Sequence, residues 1–345
     1  MMRLPLKGVL TVGALGLILG GGIALFQMYR GNSPTTSPRE RALYSTWKER
    51  IATDGGPAAY EAFRASVANE SANTQFFDAR VFGRALYDAI GSAGIETCGE
   101  EFRYACQHGF VARAILADGA DAAQELNTWC LAKGRFAKQC QHGLGHGLVA
   151  HFGYTEAALT KSLNSCEALP DSVYADSISG CMWGAYMEYY TRYWEHLARA
   201  PRSADTDAPL ALCEGMDGVP AASCGFATVQ WLLEEDTSRD QNERFTSLGN
   251  DCRTSVHALV RTGCFLGTGS QAVQAVGFDA EKTHALCSVV ADGDAADSKT
   301  CERGAQEQYR SATIAAPSEC WVKTLSGSTH LTCDAAPTIG NNVTE

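Results

Sequence analysis

The chain has 345 residues, of which 45% are hydrophobic and 19% are charged. That balance is typical of a globular protein and excludes a largely disordered one. The net charge is -11 and no long basic run occurs, so nucleic acid is not an expected partner, because phosphate binding needs a basic face.

The first element in the chain is an uncharged apolar run, residues 8–28, which follows Arg3 and Lys7. Its length of about 20 residues fits a helix that crosses a bilayer. The positive charges before it favour a cytoplasmic N-terminus, residues 1–7. A cleaved signal peptide is the alternative, but no clear small-x-small cleavage site follows. We therefore predict a single-pass membrane anchor that places the main domain in the periplasm or outside the cell.

A polar segment, residues 29–39, follows this run and predicts a tether, because it is rich in Ser, Thr and Pro. Residues 40–333 are the predicted extracytoplasmic domain, and residues 334–345 are a predicted flexible tail. The domain begins with three predicted helices that lack cysteine, near Glu40–Ile51, Ala58–Ala68 and Phe76–Ile90. Apolar residues at helical spacing support the third of these helices.

Fourteen cysteines form the clearest pattern in the rest of the chain. Within a couple the cysteines are 8 to 15 residues apart, and the second members recur every 32 to 43 residues. A period near 40 residues indicates stacked units of about two helices each. The seven successive couples are Cys98/Cys106, Cys130/Cys140, Cys166/Cys181, Cys213/Cys224, Cys252/Cys264, Cys287/Cys301 and Cys320/Cys333.

Each couple is predicted to form a disulfide, because identical units should repeat identical bonds. Zinc-binding cysteines usually lie about two to four residues apart, and no couple has that spacing. Disulfides also persist in oxidising compartments, in agreement with an extracytoplasmic domain. Closing loops of this length should contribute roughly 2–3 kcal/mol each.

A small residue lies three positions after the second cysteine in six units, where it would let a neighbouring helix approach closely. These residues are Gly109, Gly143, Gly184, Ala227, Gly267 and Gly304. Each unit is thus predicted as helix, cysteine, loop, cysteine, helix. The prediction is an all-α fold of about seven disulfide-stapled helical-hairpin repeats in a compact α/α superhelix or toroid, preceded by an N-terminal transmembrane helix. This plan resembles bacterial α/α-toroid proteins whose inner helices start with Gly or His-Gly motifs, and the resemblance implies no function.

Three histidines depart from the repeat and are the candidate site. His108 and His142 share one repeat position, and His142 and His146 share a helix face at i and i+4. Stacked units would bring these imidazoles together, and Glu188 in the next unit could complete a ligand set for zinc or another transition metal. Histidines that only satisfy loop carbonyls are the alternative, since the His-Glu-x-x-His pattern is absent. No other cofactor is indicated.

Two functions are consistent with these features. The first is a membrane-anchored extracytoplasmic helical-repeat scaffold or binding protein, such as an accessory subunit of a membrane complex, because repeats present extended surfaces to protein partners. Membrane proteins are then the expected partners. The alternative is a zinc-dependent extracytoplasmic hydrolase centred on the His-Gly motifs.

Overall fold

The structure is a computed structural model that describes residues 37–134, 137–170, 173–174, 177–192, 208–236, 239–315, 320–324 and 327–331. Within these ranges the chain is helical apart from two short β-hairpins, so the predicted all-α class is confirmed. The predicted anchor, residues 8–28, and the predicted tail, residues 334–345, lie outside the described residues. None of the helices that the structure describes combines the length and apolar character needed to cross a membrane.

The described chain divides into two halves at residue 192. The first half contains, in order, α1 (Pro38–Asp54), α2 (Gly56–Val67), α3 (Ala72–Ile90), 3-10 turns at Gly91–Thr97 and Phe102–Tyr104, α4 (Ala105–Asp118), α5 (Ala122–Ala132), α6 (Ala137–Phe152), α7 (Glu156–Glu167), the antiparallel strands β1 (Val173–Tyr174) and β2 (Ile178–Ser179), and α8 (Gly180–Thr191). The second half contains α9 (Ala211–Glu214), α10 (Gly218–Glu235), α11 (Gln241–Thr254), α12 (Ala258–Ala275), α13 (Ala280–Ala291), α14 (Ala295–Ala315), and the antiparallel strands β3 (Cys320–Thr324) and β4 (Gly327–Leu331).

Residues at the helix ends explain where several helices begin and stop. The hydroxyl groups of Ser37 and Thr155 accept backbone hydrogen bonds in the first turns of α1 and α7. Gly55, with a φ of 81°, ends α1 in a conformation that favours glycine. The three predicted cysteine-free helices are present. The last residues of the predicted tether belong to α1, however, because Ser37 caps this helix and Pro38 suits its first turn.

Eight helices form the layer that we call the central row: α1, α3, α4, α6, α8, α10, α12 and α14. Each member packs against the next one in this order. The flanking helices α2, α5, α7, α11 and α13 each contact the two row helices that they connect, and α9 contacts α10. The buried apolar side chains lie between these two layers and between successive row helices.

The first six cysteine couples are disulfide-bonded within the couple, which confirms the predicted pairing for these units. Their Cα–Cα distances are 5.3 to 5.6 Å, within the usual range for disulfides. In each case the bond joins the segment before a row helix to that row helix. The seventh bond involves Cys333, which lies outside the described residues, so it stays a prediction. The confirmed bonds are Cys98–Cys106, Cys130–Cys140, Cys166–Cys181, Cys213–Cys224, Cys252–Cys264 and Cys287–Cys301.

The predicted place of the second cysteine, at the end of a loop and before its helix, is wrong. Cys106 and Cys181 are already the second residues of α4 and α8. In four other units the cysteine lies deeper, because the residues before it are small or favourable to helix and extend the helix backwards. These cysteines lie inside α6, α10, α12 and α14, respectively: Cys140, Cys224, Cys264 and Cys301.

The seventh unit is not a helical hairpin, which corrects a second part of the predicted repeat. Cys320 begins strand β3, and β3 pairs with β4. The two strands contain aromatic and β-branched residues such as Trp321, Val322 and Thr329, which favour strands. Helix α14 is therefore the last helix among the described residues.

The repeated glycines allow the row helices to pack with backbones in contact, as predicted. A Cβ atom built on Gly109, Gly184 or Gly304 would lie under 3.0 Å from backbone atoms of the preceding row helix. At Gly143 it would lie 3.2 Å from the imidazole of His108. Each of these glycines contacts the backbone of one residue on the preceding row helix. That residue lies two positions after the second cysteine of its own unit, except in α3, which has no cysteine and contributes Arg80.

The residues at this position of successive row helices form what we call the packing column: Arg80, His108, His142, Trp183, Phe226 and Leu266. The ring centroids of His108 and His142 are 5.2 Å apart, those of His142 and Trp183 are 4.1 Å apart, and those of Trp183 and Phe226 are 5.2 Å apart. Phe226 and Leu266 belong to one buried apolar cluster. The column therefore changes along the row from polar to aromatic to aliphatic.

Helix α3, which has no cysteine, packs on α4 through glycines at positions that correspond to those of α6 and α8. Gly109 contacts the backbone of Arg80 on α3, and Gly184 contacts the backbone of His142 on α6 in the same way. Gly83 of α3 approaches the carbonyl of Cys106 as Gly145 of α6 approaches that of Cys181. Helix α3 therefore shares the glycine contacts of the later row helices, although it carries no cysteine.

Candidate functional site

The structure brings the four predicted ligand residues together across three row helices. His108 lies on α4, His142 and His146 lie on α6, and Glu188 lies on α8. Their exposed fractions are 8%, 4%, 5% and 0%, respectively. The imidazole centroids of His108 and His146 are 6.1 Å apart, and those of His142 and His146 are 4.6 Å apart. The cluster is thus internal to the helical row.

Glu188 is the acceptor at the centre of a buried hydrogen-bond network. One carboxylate oxygen lies 2.8 Å from Nδ1 of His146, and the other accepts a 2.7 Å hydrogen bond from the hydroxyl of Tyr154. A carboxylate with no exposed surface needs such partners, because desolvation of the charge is costly. The network therefore joins α6 and Tyr154, in the loop before α7, to α8.

The network continues from His146 to His142. Nε2 of His146 lies 2.9 Å from Nε2 of His142, so these two nitrogens share one proton in a direct hydrogen bond. His108 is held separately, because its Nε2 donates to the carbonyl of Gln139 at 2.9 Å. Nδ1 of His142 is buried and has no hydrogen-bond partner among the described residues.

The tautomers follow from the donors and acceptors. Nδ1 of His146 donates to the carboxylate of Glu188, since an ionised carboxylate can only accept. If His146 is neutral, its Nε2 accepts from His142, and Nδ1 of His142 is a bare lone pair. If His146 is an imidazolium, its Nε2 donates to His142, and Nδ1 of His142 carries a proton. In either state one nitrogen of His142 is left unused.

Burial keeps two of the histidines neutral. It lowers the pKa of His108 to about 3, and the charge of His146 lowers that pKa further. Burial likewise lowers the pKa of His142 well below 6.5, with smaller contributions from His146 and His108. The positive charges of Arg80 and Arg103 act in the same direction on both imidazoles.

The predicted zinc set is assembled but is not arranged around a common point. Both ring nitrogens of His146 are engaged by neighbours, and Nε2 of His108 is bonded to a carbonyl. Among the described residues, no three His, Cys, Asp or Glu side chains are grouped so that they could hold a metal ion. Metal binding by His108, His142, His146 and Glu188 therefore stays a prediction, and it would require these rings to leave their present hydrogen bonds.

Three residues of the cluster were not predicted. Trp183 occupies the same repeat position as His142, and that position alone could have placed it beside the imidazole. Arg80 lies in the cysteine-free unit, where the sequence offers no marker for the register. Tyr154 precedes α7 in a loop, and only the three-dimensional packing brings its hydroxyl to Glu188.

Two surface depressions of the described chain lie away from the histidines. One lies along α11, and the other is bounded by Cys166, Met182 and residues 217–220. Neither is lined by a residue of the cluster. In comparisons with known proteins, the chain matches no family model, no curated protein and no solved structure.

Proposed function

We propose that this chain is a membrane-anchored extracytoplasmic scaffold that binds other proteins, among them subunits of a membrane complex. Residues 8–28 are the proposed anchor, and the disulfide-bonded helical row is the proposed binding body. The observation that carries the proposal is that the histidine cluster is buried inside the row. There His146 and Tyr154 each form a hydrogen bond to Glu188 of a neighbouring helix. A cluster that joins helices internally leaves the outer faces of the repeats for partners.

The helical row has the character of a rigid binding body. Six disulfides and backbone contacts at the glycines fix successive units relative to one another. Lys138 of α6 lies 3.8 Å from Glu307 of α14, although α8, α10 and α12 intervene in the row. We propose on this basis that the repeats form a compact superhelix whose row curves back on itself. Such solenoids present continuous surfaces to partners.

The scaffold proposal is tested by isolating the full chain from its native membrane in mild detergent, after chemical cross-linking. The expected result is one or a few membrane proteins in fixed ratio to the chain. The control is the same chain produced in a host from another phylum, where the bands should be missing. A chain that runs alone from its native membrane, with no cross-linked partner, would contradict the proposal.

A zinc-dependent hydrolase is the second candidate, favoured by the convergence of His108, His142 and His146 beside Glu188. The test is metal analysis of the purified protein after equilibration with zinc. One zinc ion per chain is expected for the wild type, and none for His142→Gln. His284→Gln, which changes an exposed histidine, is the matched control. Equal zinc content in wild type and His142→Gln would exclude this site.

A further inference from the structure

The row helices all begin at one end of the protein. Between α1 and α3, Arg39 pairs with Asp78, and Tyr44, further along α1, pairs with Asp88, further along α3. Contacts between later row helices follow the same order, so the row helices run parallel to one another. We call the end at which they begin the stapled end, because it contains the six described disulfides, from Cys98–Cys106 to Cys287–Cys301.

Large apolar side chains are exposed mainly towards the stapled end. Among the described residues six are exposed, and five of these belong to the first two turns of a row helix, the last turn of a flanking helix or the loop between them. The sixth, Ile90, ends α3 at the opposite end. Single apolar side chains on a surface are ordinary, whereas their concentration on one face marks an interaction site. The five are Phe77, Leu131, Val256, Leu259 and Val289.

Three of these side chains form what we call the apolar patch: Val256, Leu259 and Val289. Val256 is 94% exposed in the loop between α11 and α12, and Leu259 is the second residue of α12. Val289 lies on a segment in contact with the end of α11, because the carbonyl of the next residue, Val290, accepts a hydrogen bond from Arg253. The patch therefore joins two successive units of the row.

The charged groups beside the patch are already paired. Arg253 lies 3.8 Å from Asp292, and Arg261 lies 2.6 Å from Asp297 and 3.9 Å from Asp294. Because carboxylates outnumber guanidinium groups in this set, charge would not attract an anionic surface. A partner of this patch is therefore held by burial of apolar area, which does not depend on salt as attraction between exposed charges does.

We propose that the stapled end lies against the surface of a phospholipid bilayer, with the apolar patch inserted among the lipid headgroups. This placement depends on the proposed anchor, residues 8–28. Ser37 caps the first turn of α1 at the stapled end. The eight residues 29–36 before it can span at most about 29 Å. The anchor therefore holds the stapled end closer to the membrane than the end at which the row helices finish.

The distribution of the apolar side chains favours a bilayer over a protein partner. The five exposed residues belong to four separate units of the row, from Phe77 on α3 to Val289 on α13. A flat lipid surface can contact the parallel helix ends of several units at once, whereas no single groove gathers these side chains.

The test is photo-cross-linking of the full chain in its native membrane. A benzophenone amino acid replaces Val256, and the adducts formed on irradiation are identified by mass spectrometry. The matched control carries the same group at Thr53, which is exposed, has the shape of valine and lies in the last turn of α1. We expect at least about tenfold more phospholipid adducts at position 256 than at position 53, since α1 holds Thr53 about 20 Å further from the bilayer. High salt should not reduce this excess.

The same group at Val289 should form the same adducts, so the test does not depend on one variant. Extraction with alkaline carbonate separates the placement from the anchor on which it depends. A chain that carbonate does not release, but that shows no excess of lipid adducts at positions 256 and 289, overturns the placement alone. A chain that carbonate releases overturns both. Cross-linking of both positions mainly to protein also overturns the placement, and would identify the stapled end as a surface for the partners of the scaffold.

Discussion

At the residue scale, Glu188 determines how the polar cluster is organised, because both of its oxygens accept hydrogen bonds and neither reaches solvent. Replacing it with Gln keeps the shape but removes the charge and turns one acceptor into a donor. We expect Glu188→Gln to lower the free energy of unfolding by about 3 kcal/mol, as when one partner of a buried pair is removed. Denaturant titration measures this change.

Tyr154→Phe is the control for that change, because it removes one hydrogen bond to Glu188 and leaves His146 in place. Its expected cost is about 1–2 kcal/mol. If Glu188→Gln is no more destabilising than Tyr154→Phe, the ionised state of Glu188 does not contribute to the fold.

Acid should destabilise the protein through the buried histidines. The pKa of His108 is about 3 in the folded chain, against an ordinary value of 6.5. Between these two values the unfolded chain binds a proton that the folded chain does not bind. The stability is therefore complete above pH 6.5 and is lost progressively as the pH falls towards 3. We expect a loss of a few kcal/mol over this range in denaturant titrations at a series of pH values.

The variant His108→Gln should make this pH profile flatter, because its amide can still donate to the carbonyl of Gln139 but does not titrate. His284→Gln, which alters an exposed histidine paired with Glu302, should leave the profile unchanged. A profile that is identical in wild type and His108→Gln would show that His108 does not cause the acid sensitivity.

How much of the cluster could be predicted depended on the repeat. His108 and His142 both lie two residues after the second cysteine of a couple, and His146 follows His142 at helical spacing. Their proximity could therefore be derived from the sequence. The position of Glu188 on the helix of the next unit could be predicted in the same way. Helix α3 has no cysteine from which its repeat positions could be counted, so Arg80 was not predicted. The hydrogen bond between His142 and His146 depends on side-chain rotamers, which the spacing does not determine.

At the element scale, the row helices depend on glycines at their crossing points. A Cβ on Gly184 would lie under 3.0 Å from backbone atoms of His142, and rigid backbone cannot move aside cheaply. We expect Gly184→Ala to lower the free energy of unfolding by about 1–3 kcal/mol, the usual cost of overpacking. Gly215→Ala is the control, because no atom lies within 4 Å of its built Cβ and its φ is -85°. Equal stabilities of the two variants would contradict the backbone contact.

The helices were largely predictable from periodicity and spacing, and their boundaries were less so. The cysteine couples suggested a loop up to each second cysteine, but α6 begins before Cys140, α12 before Cys264 and α14 before Cys301. These disulfides join a helix interior instead of a helix start, and spacing alone does not distinguish the two. At Cys320 the repeat spacing predicted a further helical hairpin, whereas strand-favouring residues decide the local structure.

At the scale of the whole molecule, the disulfides connect neighbours in sequence. The six described bonds each close a loop of 8 to 15 residues. We predict that Cys320 and Cys333 are bonded to each other in the same way. Peptide mapping without reduction should yield seven cross-linked peptides, each from one couple. A bond from Cys320 to a cysteine of another couple would contradict the prediction.

Contacts between distant units must come from side chains, since the disulfides act only locally. The ion pair of Lys138 and Glu307 is the contact that tests whether the row curves back, because it joins α6 to α14. Burial lowers the pKa of Lys138 to about 8, while Glu307 opposes this effect. The two side chains are 16% and 14% exposed, so their attraction is only partly screened.

A double-mutant cycle with Lys138→Met and Glu307→Gln measures this contact. We expect a coupling free energy of about 1 kcal/mol, because the groups are 3.8 Å apart and mostly buried. The coupling should fall towards zero above pH 8, where Lys138 loses its proton. Pairing Lys138→Met with Glu302→Gln, also on α14 but bonded to His284, should give no coupling. No coupling between Lys138 and Glu307 at neutral pH would mean that α6 and α14 do not meet, and the proposed curvature of the row would be wrong.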